Sequence, residues 1–329
     1  MTLSVCERWK GEGEAMFSVV IPVYNGARFI DEAVKSVLSQ DFADWELIIV
    51  NDGSTDNTAQ VLETYKDDPR ITVHNRENGG VSAARNTGVS LASCEHIAFL
   101  DADDVWLKNH LSVLDGMIKQ YPDAGLYASF ARIHLPDGRV ECECPYFADK
   151  PECICLDDFL GAYAADKSAK MFQMATTCVK KSAFYKVGGF PVGCKIGEDL
   201  ALSLHIAAFY PVALTGRATA VYRKVNSTAT KDVSFDPDWV FFDRAEEIYA
   251  DATISDGRKQ SLRNLMQWFT MRRCRHYLIE GRRAEAGAAY RAMDKACVSR
   301  KDRYLTAALF VLPTGIVQKL FKVRWRTQA

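Results

Sequence analysis

Three carboxylates, Asp101, Asp103 and Asp104, follow directly on the apolar run Ile97 to Leu100. A run of that kind reads as a buried strand, and open α/β sheets bind their ligands outside the carboxyl ends of their strands. Carboxylate oxygens spaced as Asp-x-Asp suit a hard divalent cation, Mg²⁺ or Mn²⁺, shared with substrate phosphates. Taken alone, the same pattern also serves as a turn or a helix cap after a strand. A second acidic pair, Glu198-Asp199, follows Gly197 and opens a stretch in which Leu202, His205, Ile206 and Phe209 share one helical face. A pair so placed either caps the helix and compensates its dipole or presents a carboxylate able to take a proton.

The elements that must position these groups are legible around them. Phe17 to Val23 and Leu47 to Val50 are rich in β-branched residues and end in turn formers, Tyr24-Asn25-Gly26 and Asn51-Asp52-Gly53-Ser54. Both read as parallel strands buried on two faces. Phe29, Ile30, Ala33, Val34, Val37 and Leu38 then recur at helical spacing, as do Val61, Leu62 and Tyr65 more weakly. A third strand, Ile71 to His74, leads through Asn78-Gly79-Gly80 into a helix carrying Ala84-Arg85-Asn86-Thr87-Gly88, and a fourth ends at the triple carboxylate. Farther on, the sequence predicts helices over Leu107–Tyr121, Leu156–Ala164, Lys181–Val187 and Glu198–Phe209. It predicts strands over Gly125–Ile133, Arg139–Cys144, Phe172–Val179 and Ala218–Arg223.

Together these loops resemble the inverting family 2 glycosyltransferases, which have an A-type nucleotide-sugar fold. The resemblance rests on Val20-Ile21-Pro22-Val23-Tyr24-Asn25, Asn51-Asp52-Gly53-Ser54-Thr55-Asp56, Asn78-Gly79-Gly80 with Ala84 to Gly88, Asp101 to Asp104, and Gly188-Gly189-Phe190 followed by Gly197 to Leu200. It covers about Phe17 to Tyr222. One departure is Asn51, where many members carry an aspartate. The implied fold is α/β: a Rossmann-like, mostly parallel sheet flanked by helices, with a C-terminal helical extension.

The resemblance also implies roles. Pro22, Tyr24 and Asn25 would bracket the nucleotide base, and Asp52 would accept from a base N–H such as N3 of uracil. Asn78 and Gly80 would line the same donor site, and Arg85 would meet the base carbonyl or a phosphate. Asp101 would touch the ribose and Asp103 the metal, with Asp101 or Asp104 as further ligands. Glu198 would contact substrate, and Asp199 would be the general base that inversion requires on the face opposite the leaving group. Read singly, Asn25 is equally a strand-ending turn, Asp52 an Asx-turn and Arg85 a surface ion pair. The implied substrates are a nucleotide-sugar donor, UDP-linked for preference, and a glycan or lipid-linked acceptor in polysaccharide synthesis. The stretch Cys142 to Met174, where the acceptor should lie, carries no readable motif.

Composition is compatible with that reading. The chain has 329 residues, 48% hydrophobic, enough to bury one large core. Its formal net charge of -1 argues against a general nucleic-acid binder, which would show a basic domain. No hydrophobic leader opens the sequence, so the ten cysteines are expected reduced in a cytoplasmic protein. Cys142, Cys144, Cys153 and Cys155 form either a zinc site of unusual spacing or ordinary strand arms. Residues 1–15 are expected to be a disordered extension, 16–225 the catalytic domain and 226–329 a helical region. In that last part Leu305 to Val317 is uncharged and flanked by Arg300, Lys301 and Arg303 on one side and Lys319, Lys322, Arg324 and Arg326 on the other. It is too short to cross a bilayer, which takes about 20 residues. It reads as an anchor on the inner membrane face, a docked helix or a contact between copies in a homo-oligomer.

Rival classes make different demands. A Rossmann dehydrogenase needs Gly-x-Gly-x-x-Gly after its first strand, and Pro22 to Gly26 lacks it. A nucleotidyltransferase is expected to carry a Gly-rich basic turn there. A nucleotide-sugar-binding module without turnover would keep Asp52 and Asp103 but has no use for Asp199.

Overall fold

The computed structural model describes residues 17–141, 145–166, 173–194, 197–224 and 241–326. The extension 1–15, the pair Cys142 and Cys144, and the boundary expected at 225/226 lie outside those residues.

Strands β1 (Phe17–Val23), β2 (Trp45–Asp52), β3 (Ile71–Arg76) and β4 (His96–Phe99) are parallel and stand in the order β3-β2-β1-β4. Val20 is in register with both Ile48 and Phe99, and Val23 with Asn51, so the loops leaving β1, β2 and β4 emerge along one edge. Every residue of β1 is buried. Val19 and Ile21 pack with Leu47 and Ile49 under one face, while Val20 packs with Ile48 and Val50 under the other. This period of two with both faces covered is what a β-branched run in a parallel sheet provides.

Helix α1 (Ile30–Leu38) buries Ile30, Ala33, Val34 and Val37 against the first face, beside the short α2 (Thr58–Glu63). Helix α3 (Val81–Leu91) lies against the second face. A Cβ on Gly88 would meet a Val20 methyl at 2.3 Å, so glycine allows α3 to sit directly on β1. That close approach fixes where Arg85, three residues earlier, can point.

Beyond β4 the sheet is mixed. Strands β5 (Val105–Trp106), β6 (Leu126–His134), β7 (Val140–Glu141), β8 (Cys153–Leu156), β9 (Thr177–Lys180) and β10 (Val212–Arg223) extend it in the order β4-β9-β6-β10-β5. There β9 is antiparallel to both neighbours, β10 is parallel to β6, β7 pairs with β6 and β8 pairs with β10. Helices α4 (His110–Gln120), α5 (Phe159–Asp166), α6 (Lys181–Lys186) and α7 (Glu198–Phe209) flank it.

Several boundaries here differ from the sequence expectation. The strand expected from Phe172 is a 3-10 turn over Met174–Thr176, because the Thr176 and Thr177 hydroxyls both donate to the Gln173 carbonyl. The helix expected from Leu107 starts at His110, since Val105 and Trp106 pair with Val221 and Ala220 of β10. Likewise Leu156 ends β8 instead of opening a helix, and β10 starts at Val212, well before Ala218.

The C-terminal helices are α8 (Phe241–Ala250), α9 (Asp256–Glu280), α10 (Arg283–Ala292), α11 (Arg300–Val311) and α12 (Thr314–Arg326). Phe241, Ala245, Ile248, Leu262, Leu265 and Phe269 pack in the same core as the second face of the sheet. The far half of α9 leaves that core and supports a smaller one with Cys274, Tyr277, Leu278, Ala286, Ala289, Leu309 and Val317.

Candidate active site

The first part of the site is a zipper between the loops after β1 and β2. Asn25 adopts φ 51°, a left-handed conformation that asparagine tolerates better than most residues. Its Oδ1 accepts from the backbone N–H of Thr55 at 2.8 Å and of Asp56 at 3.3 Å, and its own N–H donates to Ser54 Oγ at 2.9 Å. Next to it Gly26 N–H donates to Thr58 Oγ1 and Ala27 N–H to Asp56 Oδ2. Asn25 therefore spends its side-chain oxygen holding two loops together. Pro22 is buried within β1, and Tyr24 is 55% exposed.

Asp52 ends β2 and is almost wholly buried. Its carboxylate accepts from the backbone N–H of Gly79 at 3.1 Å and of Gly80 at 2.8 Å, and lies 3.2 Å from Arg76 Nε. Asn78 Nδ2 donates to the Asp52 carbonyl at 3.0 Å. Gly53, at φ 74°, and Gly80, at φ 84°, hold backbone that L side chains disfavour, and a Cβ on Gly53 would sit 2.8 Å from Asn78 N. Asp52 thus builds the turn that starts α3, and only its remaining lone pairs are available to a ligand.

Arg85, one turn into α3, is the hub of the second part. Its Nη2 donates to Asp101 Oδ1 at 2.6 Å and its Nη1 to Glu198 Oε1 at 2.9 Å, and the guanidinium lies 5.2 Å from the Phe190 ring centroid. The group is buried, and Asp101, Glu198 and the nearby Asp199 hold it charged against that burial. Two acidic motifs nearly a hundred residues apart are joined through one cation. Glu198 and Asp199 open α7 after Gly197, which is left-handed at φ 82°.

The carboxyls here outnumber the cations. Burial and the charge of Asp101 push Asp103 up, and burial with the same neighbour pushes Asp104 up to about 9. Burial and the charge of Glu198 push Asp199 up. Asp104 is fully buried, accepts from the Arg223 N–H at 2.9 Å through Oδ1, and has no partner for Oδ2. Through Oδ1 it clamps the acidic loop to the end of β10. Among the described residues no three His, Cys, Asp or Glu side chains are set to hold a metal ion by themselves, Cys153 and Cys155 included. Asp101 and Asp103 lie within electrostatic reach of each other, and carboxylates are the ligand type Mg²⁺ and Mn²⁺ take, commonly one or two with the remaining oxygens from phosphate and water.

Three features escaped the sequence reading. Asn86 clamps Phe190, donating to its carbonyl and accepting from its N–H, both at 2.9 Å, which seats the ring beneath Arg85. Tyr222 lies within electrostatic reach of Asp104, Asp103, Asp101 and Asp199, its phenol pushed up by burial and then by those charges. Arg223 pairs with Glu32 at 2.7 Å, while its buried Nε and Nη2 have no hydrogen-bond partner. The only sequence signal for this pair is its place at the end of the last strand.

Residues 18–140 match the sequence profile of Glycosyl transferase family 2. The UDP-Glc:alpha-D-GlcNAc-diphosphoundecaprenol beta-1,3-glucosyltransferase WfgD of Escherichia coli is 34% identical over 119 residues, 36% of this chain and 47% of that protein. The matches span less than half the length of each of the curated relatives. Among solved structures, S. aureus TarS 1-349 in complex with UDP-GlcNAc has a TM-score of 0.72 at 20% identity, covering 93% of this chain and 91% of that one. The mannosyltransferase PcManGT from Pyrobaculum calidifontis, in complex with GDP-Man and Mn2+, has a TM-score of 0.54 at 19% identity, covering 90% of this chain and 80% of that one. Residues 18–140 thus carry the sequence pattern of glycosyl transferase family 2, and the chain shares the A-type fold of these solved structures.

Proposed function

We propose that the protein transfers a sugar, with inversion, from a nucleoside-diphosphate sugar to an acceptor hydroxyl in the synthesis of a cell-envelope glycan. The observation that carries this reading is the double ion pair of Arg85, which draws the acidic loop and the start of α7 to one rim. A donor lying along that rim would set its base against Tyr24 and the free lone pairs of Asp52, and its diphosphate beside Asp101 and Asp103. A UDP donor is favoured because a carboxylate at Asp52 can accept from a pyrimidine imide N–H, and the relatives named for UDP-linked substrates support it. A lipid-linked acceptor is likewise supported by WfgD.

Asp199 would take the acceptor proton. Its raised affinity for protons moves it toward the working pH of a general base, where proton transfer is most effective. Glu198 orients its neighbour by pairing with Arg85. Asp101 and Asp103 would hold Mn²⁺ or Mg²⁺, which when bound supplies Lewis-acid stabilisation of the leaving diphosphate. The Mn2+ in PcManGT supports the choice of ion.

The test is a panel of nucleotide sugars with Mn²⁺, scored by thermal stabilisation and slow hydrolysis. A UDP-sugar at about 100-fold excess over its dissociation constant should add about 2.7 kcal/mol of stability. Stabilisation only by a GDP- or dTDP-sugar moves the donor, and stabilisation by none removes the reading. Excess chelator should abolish transfer, and added Mn²⁺ or Mg²⁺ should restore it.

A further inference from the structure

We propose that the elbow between α11 and α12 is a docking surface for an anionic lipid bilayer. The inner side of this helical pair is fully committed: Leu309 and Val317 are buried in the small core on α9, and Arg275 donates to Thr306 Oγ1 and to the carbonyl of Asp302. Arg283 caps the end of α11 by donating to the carbonyls of Phe310, at 2.6 Å, and Leu312. Gln318 donates to the Ile279 carbonyl and fastens α12 alongside. The elbow is therefore held in one orientation.

What it holds outward is apolar. Val311 is 82% exposed and Tyr304 74%, and Leu305, Ile316 and Leu320 are exposed beside them. Water-facing side chains of this size cost nothing singly, but five within seventeen residues of two consecutive helices concentrate exposed apolar surface at this elbow, and concentrated apolar surface marks interaction sites. The charge around it identifies the partner. From Arg303 to the last residue the sequence has no acidic residue and five Lys or Arg, and Arg300, Lys301 and Lys319 are exposed on the same two helices. An apolar face on helices that also expose cations complements acyl chains beneath anionic headgroups. A neutral protein groove would leave those cations uncompensated. Among the described residues no helix is long and apolar enough to cross a membrane, so the contact lies along the surface.

The test uses the full chain and two kinds of vesicle, phosphatidylcholine alone and phosphatidylcholine with phosphatidylglycerol in equal parts, in a sedimentation assay. Binding should occur to the second and weaken with salt. The double variant Val311→Ser, Ile316→Ser should bind about tenfold or more weakly, by the loss of buried apolar area. Lys301→Glu with Lys319→Glu should weaken binding comparably while leaving the patch apolar, and neither pair should alter donor-induced stabilisation. Both pairs are on the surface, so circular dichroism should match the parent. Equal binding of the parent and both variants overturns the proposal. So does a parent that ignores vesicles but self-associates in ultracentrifugation and is dispersed by the serine variant, because the patch would then belong to a second copy.

Discussion

Arg85 Nη1 lies 2.9 Å from Glu198 Oε1, although 113 residues separate them, and the same guanidinium holds Asp101 at 2.6 Å. The Arg85 side chain is 5% exposed, while Asp101 and Glu198 are 28% and 14% exposed, so a buried cation is held by two half-buried carboxylates and this is not a surface pair. Removing the cation leaves two half-buried carboxylates facing each other unpaired; breaking a fully buried pair commonly costs about 3 to 5 kcal/mol, and the partial exposure here reduces that. Arg85→Gln should therefore lose stability, by less than that, and lose donor affinity with it. Arg85→Lys should recover only part of either, because an ammonium cannot span both partners as a planar fork does. Chemical denaturation with nucleotide-binding calorimetry on both variants checks this; a Lys variant equal to the parent would refute the bridging role.

Asp199 and Glu198 are adjacent, and the structure gives them different work. Glu198 pairs with Arg85, whereas Asp199 Oδ1 accepts from the N–H of Leu200 at 2.7 Å. If Asp199 is the base, Asp199→Asn should lower kcat by about 10² to 10⁴ with nucleotide affinity nearly unchanged. Glu198→Gln should instead lower stability and donor affinity together. Turnover retained in Asp199→Asn would shift the proton transfer to another group.

Asn25 offers a test of a binding role against a structural one. Its oxygen ties down the Thr55 and Asp56 backbone, and its φ of 51° disfavours residues with a branched or ordinary Cβ. Asn25→Ala loses the side-chain bonds and keeps the strain, at about 1 to 3 kcal/mol. Asn25→Gly loses the bonds but relieves the strain, so it should be the milder change in a melt. Should both variants melt like the parent yet fail to bind nucleotide, the residue acts on the base directly.

Strands β1 and β2 were legible because they are buried on both faces and announce themselves as runs rich in β-branched residues. The mixed half was not. Val105 and Trp106 form a strand only because β10 is beside them, and Cys153 to Leu156 pairs with the early part of β10 where no alternation marks either partner. The site divides in the same way. Motif residues could be located at strand ends, but whether Arg85 was buried depended on Glu198, and the turn-building task of Asp52 depended on backbone N–H groups 27 and 28 residues away. Tyr222 and Arg223 had no signature beyond their place at the end of the last strand, since what sets them beside the acidic loop is the register of β10.

His110 supplies a pH dependence that is separable from the acidic cluster. It lies in the first turn of α4, fully buried, with Nδ1 2.6 Å from Thr219 Oγ1 and its ring stacked on Trp106 at 4.1 Å. Burial lowers its pKa to about 3. His205, stacked on Phe241 at 5.3 Å, is lowered to about 4 by burial. In each case the unfolded chain, titrating near 6.5, binds a proton that the folded chain refuses. Each histidine's contribution is therefore complete above about pH 6.5 and shrinks on acidification, by about 1.4 kcal/mol per pH unit, until the folded value is reached. Asp104 works the other way, since a folded carboxyl raised to about 9 loses its contribution as pH rises, so the net profile of the parent does not isolate either effect. The difference between the parent and His110→Gln does. Measured by urea denaturation from pH 7.5 down to pH 4.5, the variant's stability should fall less steeply below about pH 6.5 by roughly one proton's worth. Parallel profiles over that range would mean that the ring is protonated in the folded state or that its site opens before it titrates.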